Sequence, residues 1–239
     1  MLSQNLLTSS VTVKMQTSSM NALIGSHGVV GQSLRDHMSF DLLFDSDNIA
    51  QLPGLLDTVI VAAPSGNRLA VNQGKINDKA CCDAIVSAIQ HARPKHVVLL
   101  GSVDSVTAPD TEYGKNRHYL ETALVNIAPT TVIRLCTLIG CRIKKNMLYD
   151  IKHRQFLNKI NSNAWLQWCL LDDLPRLIDQ TQPGVIVDLV SEPIQNSTVI
   201  QRYVPNLQVN SKIVSIYYNQ RPYAYSQQQI FTAMDRYML

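Results

Sequence analysis

Long hydrophobic runs are missing from this chain. No apolar stretch approaches the roughly 18–20 residues of a membrane span, so no membrane partner is expected. The first nineteen residues are rich in Ser, Thr, Gln and Asn and hold no continuous apolar segment, so they are not expected to act as a secretory signal. Charge is also scarce. Charged residues make up 16% of the chain, and 21 basic against 18 acidic side chains leave a net charge of only +3. That composition excludes a disordered, highly solvated protein. The basic residues are scattered apart from one cluster at Arg142, Lys144 and Lys145, which makes no electrostatic footprint for nucleic acid. Cysteine is sparse and unpatterned: Cys81, Cys82, Cys136, Cys141 and Cys169 form no C-x-x-C pair, and none has a histidine at metal-finger spacing. A structural zinc site is excluded on that ground, and no metal is expected. An odd number of cysteines in a chain of this length reads as free, mostly buried thiols in a reducing cytosol, which makes the expected location cytoplasmic.

What the chain does have is apolar content, 46% of 239 residues, enough for one large domain or a domain with a small appendage. Strands and helices alternate along it. A short apolar run, 22–24, precedes an amphipathic segment, 29–37. Residues 40–45 read as a second strand and 57–63 as a third, apolar nearly throughout as a strand buried on both faces should be. The third strand ends in the breaker Pro64-Ser65-Gly66. Residues 77–91 read as a helix with Ala80, Ala84, Ile85, Ala88 and Ile89 on one stripe. A fourth strand, 96–100, is closed by Gly101-Ser102. A helix over 112–127 carries Tyr113, Leu120, Leu124 and Ile127 along a face, and a fifth strand covers 131–135. This rhythm predicts an α/β fold, a doubly wound parallel sheet of Rossmann type with right-handed crossovers. Beyond Gly140 the pattern changes: a helix over 146–158, a short strand over 165–171, a helix over 172–180 opened by an Asp cap, a buried strand over 185–190 and an amphipathic tail over 226–238 with Ile230, Met234 and Tyr237 as its stripe. Three regions follow: a polar extension (1–19), a Rossmann-type domain (20–140), and a short region interleaved with late sheet elements (141–239). The extension reads as disordered, with Val11-Thr12-Val13 as a short strand the alternative.

The most informative feature is Gly25-x-x-Gly28-x-x-Gly31, placed between the first strand and the first helix. Residues without a Cβ let the backbone approach a pyrophosphate, and a helix N-terminus offers N–H groups to it. The bland alternative is a glycine-rich turn that binds nothing. Asp45 lies twenty residues after Gly25, close to the spacing of the carboxylate that holds the adenosine ribose hydroxyls. A carboxylate there repels a ribose phosphate, which favours NAD weakly over NADP; Asp47 competes for the same role. His27 either flanks a phosphate or is an exposed loop histidine. Arg68 follows the third strand at the edge where open parallel sheets bind ligands, and either contacts a phosphate or is a solvated charge. Trp165 and Trp168 line a pocket or, more simply, pack against the sheet.

With this layout the chain resembles the extended short-chain dehydrogenase/reductase superfamily, and within it the nucleotide-sugar epimerase and 4-keto-sugar reductase branch. The resemblance rests on six segments in order: the glycine turn; Leu99-Leu100-Gly101-Ser102-Val103-Asp104; Tyr113-Gly114-Lys115-Asn116-Arg117-His118-Tyr119-Leu120-Glu121; the strand from Val132 through Arg134 to Gly140; the segment from Gln167 to Leu174; and that from Asp188 to Ile194. It covers roughly residues 20–205, and the C-terminal substrate part is shorter than the family implies.

The resemblance implies an NAD(P)-dependent oxidoreductase or epimerase acting on a nucleotide-activated sugar, with a homodimer as a plausible assembly. It also implies a Ser/Thr, Tyr, Lys triad, matched here by Ser102, Tyr113 and Arg117. The tyrosine would be general acid/base, the serine would hydrogen-bond the reacting oxygen, and the cation would aid the phenol and hold the nicotinamide ribose. The implied cofactor-binding residues are Gly25, His27, Gly28, Val29, Gly31, Asp45, Ala63 and Arg68. Arg117 departs from the family's lysine. Its planar fork differs from a compact ammonium, so ribose contacts would change. It shares a helical face with Tyr113 but also stands four residues before Glu121, where an ordinary helix salt bridge is the alternative. Lys115 lies about 200° round the helix from Tyr113 and does not easily substitute. A non-catalytic NAD(P)-binding protein used for regulation or assembly is the competing expectation.

Overall fold

The computed structural model describes residues 19–207 and 222–239; the candidate strand at 11–13 and the extension up to residue 18 lie outside them. In the first half, β1 (Asn21–Ile24), β2 (Leu42–Phe44), β3 (Thr58–Val61), β4 (His96–Ser102) and β5 (Thr130–Leu135) are joined by α1 (Val29–Arg35), α2 (Arg68–Asn72), α3 (Asp78–Ala92), α4 (Asp104–Thr107) and α5 (Glu112–Ile127). The second half holds β6 (Thr137–Ile139), α6 (Met147–Lys152), β7 (Trp165–Leu166), β8 (Trp168–Leu170), α7 (Leu174–Gln180), β9 (Ile186–Leu189), β10 (Ile194–Gln195), α8 (Asn196–Tyr203) and α9 (Gln227–Met238). The main sheet has six strands in the order β2-β1-β3-β4-β5-β9, all pairs parallel. Two small sheets, β6 with β8 and β7 with β10, sit in the second half. Between β2 and β3 there is no α-helix, only the 3₁₀ turn Ile49–Gln51, so within the main sheet that crossing is made without one.

The period-2 pleat explains the central strands. Leu23, Ile60, Val98 and Ile133 face one core, shared with Leu148, Trp168, Leu174, Val199 and Ile230 from the second half. Ala22, Ile24, Val59, Val61, Val97, Leu99 and Val132 face the other, shared with Ile85 and Ile89 of α3 and Leu120 and Leu124 of α5. Strands covered on both faces can be apolar throughout, as β3 and β4 are. The strand near 185–190 does not meet that expectation. Among the described residues it is an edge strand, and Ile186 is 54% exposed.

Other boundaries shift for local reasons. The helix expected over 146–158 stops at Lys152, and a separate 3₁₀ turn follows at Leu157–Lys159. Arg154 (φ 54°) and Phe156 (φ 50°) between them are left-handed. The strand expected over 165–171 is interrupted at Gln167, where the chain passes from pairing with β10 to pairing with β6; the buried side-chain amide of Gln167 donates to Ser191 O at 2.7 Å. α7 begins at Leu174, and Asp173 rather than Asp172 precedes it, without a side-chain cap bond. On α3 the buried stripe is Cys82, Ile85, Ala88, Ile89 and Ala92; Ala80 and Ala84 are exposed at the mouth of a cleft. Of the thiols, Cys82 and Cys169 are buried, Cys81 and Cys136 half-buried, and Cys141 exposed. No helix among the described residues is long and apolar enough to cross a membrane.

Candidate cofactor cleft and active site

β1 and β3 are adjacent, with the chain winding to opposite sides of them, so their C-terminal ends form the switch point where open parallel sheets bind ligands. The glycine turn leaves β1 there. Gly25 has φ +87°, and a Cβ on it would stand 2.6 Å from the Ala62 carbonyl oxygen at the end of β3. A Cβ on Gly31 would stand 2.1 Å from the Gly25 carbonyl oxygen. The third glycine therefore seats α1 against the turn. The amide of Gly28 closes the turn on Gly25 O at 3.0 Å.

A cleft of about 1000 Å³ opens above this turn. Gly25, His27, Gly28, Val29, Asp45 and Ala63 line it, and so do Ser102, Tyr113 and Arg117. At the mouth, Asp45 Oδ2 is 2.7 Å from His27 Nδ1, and Asp45 Oδ1 accepts the Asp47 amide at 2.9 Å. The Asp47 amide bond, with the imidazole behind it, holds the Asp45 carboxyl below the usual carboxylate range. Asp47 thus serves Asp45 through its backbone, and its own side chain is not in the cleft wall. His27 is exposed and is the carboxylate's partner. Gly31 is not in the wall.

A second cavity, about 530 Å³, adjoins the cleft. Ser102 and Tyr113 line both. Ser102 ends β4, where its Oγ accepts the Asp104 amide at 3.2 Å. Tyr113 opens α5, which Thr111 caps by accepting the Gly114 amide at 3.1 Å, and the Tyr113 amide is itself held by Asn72 Oδ1 at 2.9 Å. Arg68 lines the second cavity rather than the long cleft, with Nε 2.9 Å from Asp104 Oδ2. Burial pushes the Asp104 carboxyl up, and Arg68 pulls part of that back.

Arg117 is 4% exposed and does not pair with Glu121. Its Nη1 and Nη2 lie 3.0 and 3.1 Å from the two oxygens of Asp78, and Nη2 also donates to Ser65 O at 2.8 Å. The guanidinium carbon sits 4.2 Å from the centre of the Tyr113 ring. Burial works against its charge, but Tyr113 and Asp78 outweigh burial and hold the guanidinium above its ordinary pKa. Glu121 is taken by Arg134, which bridges on to Asp188. Beside Arg117, burial pushes the Cys82 thiol up to about 12.

Trp168 is fully buried under the sheet and Trp165 is 38% exposed; neither is in the wall of either cavity. Sequence reasoning missed Asp78, Asp104, Thr137, Lys145 and Asn146, which the fold brings to these cavities. Asp104 stood inside a quoted segment, and Lys145 inside the one basic cluster, but neither pattern carries a distance. No group of three or more potential metal ligands occurs among the described residues.

The six-stranded parallel sheet with a glycine turn at its switch point is a Rossmann-like α/β fold, shared with solved nucleotide-sugar epimerases and dehydratases. In sequence the chain matches no protein-family model and no curated protein. In structure it is similar to a double mutant of DesIV, the dTDP-glucose 4,6-dehydratase of Streptomyces venezuelae, solved with NAD and DAU bound (TM-score 0.71, 11% identity, covering 91% of this chain and 96% of that one). It is also similar to UDP-N-acetylglucosamine 4-epimerase from Bacillus cereus (TM-score 0.67, 13% identity, 92% and 98%). A third neighbour is the Bordetella bronchiseptica enzyme WbmG in complex with NAD (TM-score 0.61, 14% identity, 93% and 90%).

Proposed function

We propose that this chain binds a nicotinamide dinucleotide in the long cleft, NAD in preference to NADP, and oxidises, reduces or epimerises a nucleotide-activated sugar held in the second cavity. The observation that carries this reading is the shared wall. Ser102 and Tyr113 stand where a cofactor in one cavity and a substrate in the other would meet. The cleft suits the group in size and in chemistry: the turn at Gly25 and Gly28 lies flush with the end of β3, and an ionised carboxylate, Asp45, waits at the mouth.

The nicotinamide supplies a hydride acceptor or donor when bound. Gly25, His27, Gly28 and Val29 would hold its pyrophosphate and Asp45 its adenosine ribose hydroxyls, with Ala63 in the same wall. Tyr113 exchanges a proton with the sugar oxygen as general acid/base, and Ser102 hydrogen-bonds that oxygen. Arg68 faces the sugar-nucleotide side. Arg117 positions the Tyr113 ring from beneath.

The test has two parts. Calorimetry with NAD and NADP is expected to give binding, tighter for NAD, and Asp45→Ala is expected to narrow the difference. A panel of UDP- and dTDP-sugars is then assayed for turnover. Tyr113→Phe is expected to lower kcat by about 10²–10⁴-fold with cofactor affinity kept; an unchanged kcat would remove the acid/base role. A second reading, a non-catalytic dinucleotide-binding protein, is favoured by one observation, the bidentate hold of Asp78 on Arg117. Cofactor binding without turnover of any sugar nucleotide would select it.

A further inference from the structure

A phenol that trades protons near neutrality needs an unpaired positive charge beside it, and α5 does not offer one. Arg117 lies under the Tyr113 ring, but both its terminal nitrogens are on the Asp78 carboxylate. The Asp78 carboxylate partly offsets the guanidinium charge that acts on Tyr113. Lys115 is exposed and lies in the wall of neither cavity. Arg68 is neutralised by Asp104.

Lys145 differs from all of these. Among the described residues it is the only cation in the wall common to both cavities, where it stands with Ser102, Tyr113, Thr137 and Asn146. It has no ion pair among the described residues. Its loop is held on both sides. Upstream, Arg142 grips Asp36, the C-cap of α1, at 2.6 and 2.8 Å and Gln32 of α1 at 3.2 Å. The Ile143 carbonyl accepts Tyr237 of α9 at 3.1 Å. Downstream, Asn146 donates to Leu138 O at 2.8 Å and caps α6 by accepting the Tyr149 amide at 2.9 Å. Lys145, an exposed residue on a flexible stem, thus lines both cavities from a backbone pinned to two helices and a strand.

We propose that Lys145 is a catalytic residue of this site, supplying from the 140–146 loop the positive charge that the helix position lacks. The proposal rests on the sugar-nucleotide reading above. Its ammonium stabilises negative charge on the Tyr113 oxygen and on the sugar oxygen as the proton passes between them. A compact, freely turning ammonium suits that task better than a fork locked on a carboxylate. The alternative use of such a lysine is a grip on the substrate's phosphates, which would act on affinity alone.

The experiment compares wild type, Lys145→Met and Lys145→Arg in the full chain. With a turned-over sugar nucleotide, Lys145→Met is expected to lower kcat about 10²-fold at neutral pH, to move the acid limb of the oxidative pH–rate profile upward, and to leave NAD affinity by calorimetry unchanged. Lys145→Arg is expected to restore most of the loss. In the cofactor-free protein, the phenolate difference absorbance between each Lys145 form and its Tyr113→Phe partner is expected to develop at higher pH in Lys145→Met than in wild type. A Lys145→Met enzyme with a raised KM, an unchanged kcat and an unmoved pH profile would overturn the proposal in favour of a phosphate grip and leave the proposed function standing. Failure of that function looks different: wild type itself then turns over no sugar nucleotide, and the Lys145 proposal falls with it.

Discussion

Arg117 commits both arms of its guanidinium to acceptors that the fold brings from elsewhere in the chain. The carboxylate of Asp78 is 39 positions away and the carbonyl of Ser65 is 52. An ammonium at the same place reaches fewer acceptors and cannot match the bidentate geometry. Arg117→Lys is therefore expected to lower stability by about 1–3 kcal/mol, because a buried carboxylate is left short of donors. The readout is a lower urea midpoint at unchanged m-value. Turnover is not expected to rise. A gain would instead mark residue 117 as a ribose-binding position, with Arg an inferior occupant. The spacing from Tyr113 to Arg117 was legible in the sequence, as was the shared helical face. What Arg117 holds was not, since Glu121 offered itself at four residues' distance and only the packing of α3 against α5 supplied Asp78. The glycine turn was legible to the same depth. Its glycines stand where the spacing put them, but a Cβ on Gly31 would meet the oxygen of Gly25, and Gly31 is not in the cleft wall.

At the scale of elements, three landmarks of the sequence prove to be one piece of the structure. Glu121 of α5, Arg134 of β5 and Asp188 of β9 form a buried network, with Arg134 nitrogens 2.9 and 3.0 Å from Glu121 Oε2 and 3.3 Å from Asp188 Oδ1. It ties a helix to the last two strands of the sheet, where the edge strand β9 has a neighbour on one side only. Removing the shared cation leaves two carboxylates facing each other out of water. Arg134→Met is expected to cost about 3–5 kcal/mol, since breaking a buried pair strands the remaining charge. Chemical denaturation measures the loss, and hydrogen exchange is expected to show β9 opening ahead of β3 and β4. A loss confined to a few tenths of a kcal/mol would mean that the network is neutral to stability. Hydropathy marked 185–190 as a strand but could not say that it lies at an edge. An apolar run reads the same in either place, and strand order is set by which crossovers the chain can make.

Across the whole molecule, exposed carboxylates pin distant segments together. Asp36 is held below its ordinary pKa of 3.8 chiefly by Arg142, Asp57 by Lys95 and Asp235 by Arg202. These pairs join α1 to the 140–146 loop, the start of β3 to the start of β4, and α8 to α9. For each, the folded-state value lies below the unfolded one, so the unfolded chain binds more protons in that range. The stabilisation is full above the ordinary carboxylate value and is lost as pH falls through the lowered ones. Thermal unfolding is thus expected to hold its midpoint down to about pH 5 and to fall steeply below it. Asp36→Asn is expected to make that fall shallower and to loosen the loop that carries Lys145. An acid limb identical to wild type would show that the Asp36–Arg142 pair does not contribute.

The sequence by itself determined the local and periodic features. The α/β class, the central strands, the helix over 112–127 and the glycine turn follow from spacing, since pleat, helical pitch and Cβ clashes act over a few residues; Ser102 and Tyr113 as residues to watch follow from the family resemblance alone. Tertiary structure alone decided what meets what. It placed Asp78 on Arg117, drew Arg68 to the second cavity, made β9 an edge, and delivered Lys145 to the wall beside Tyr113. Each of these depends on contacts between segments far apart in the chain, and no short-range pattern encodes such a distance.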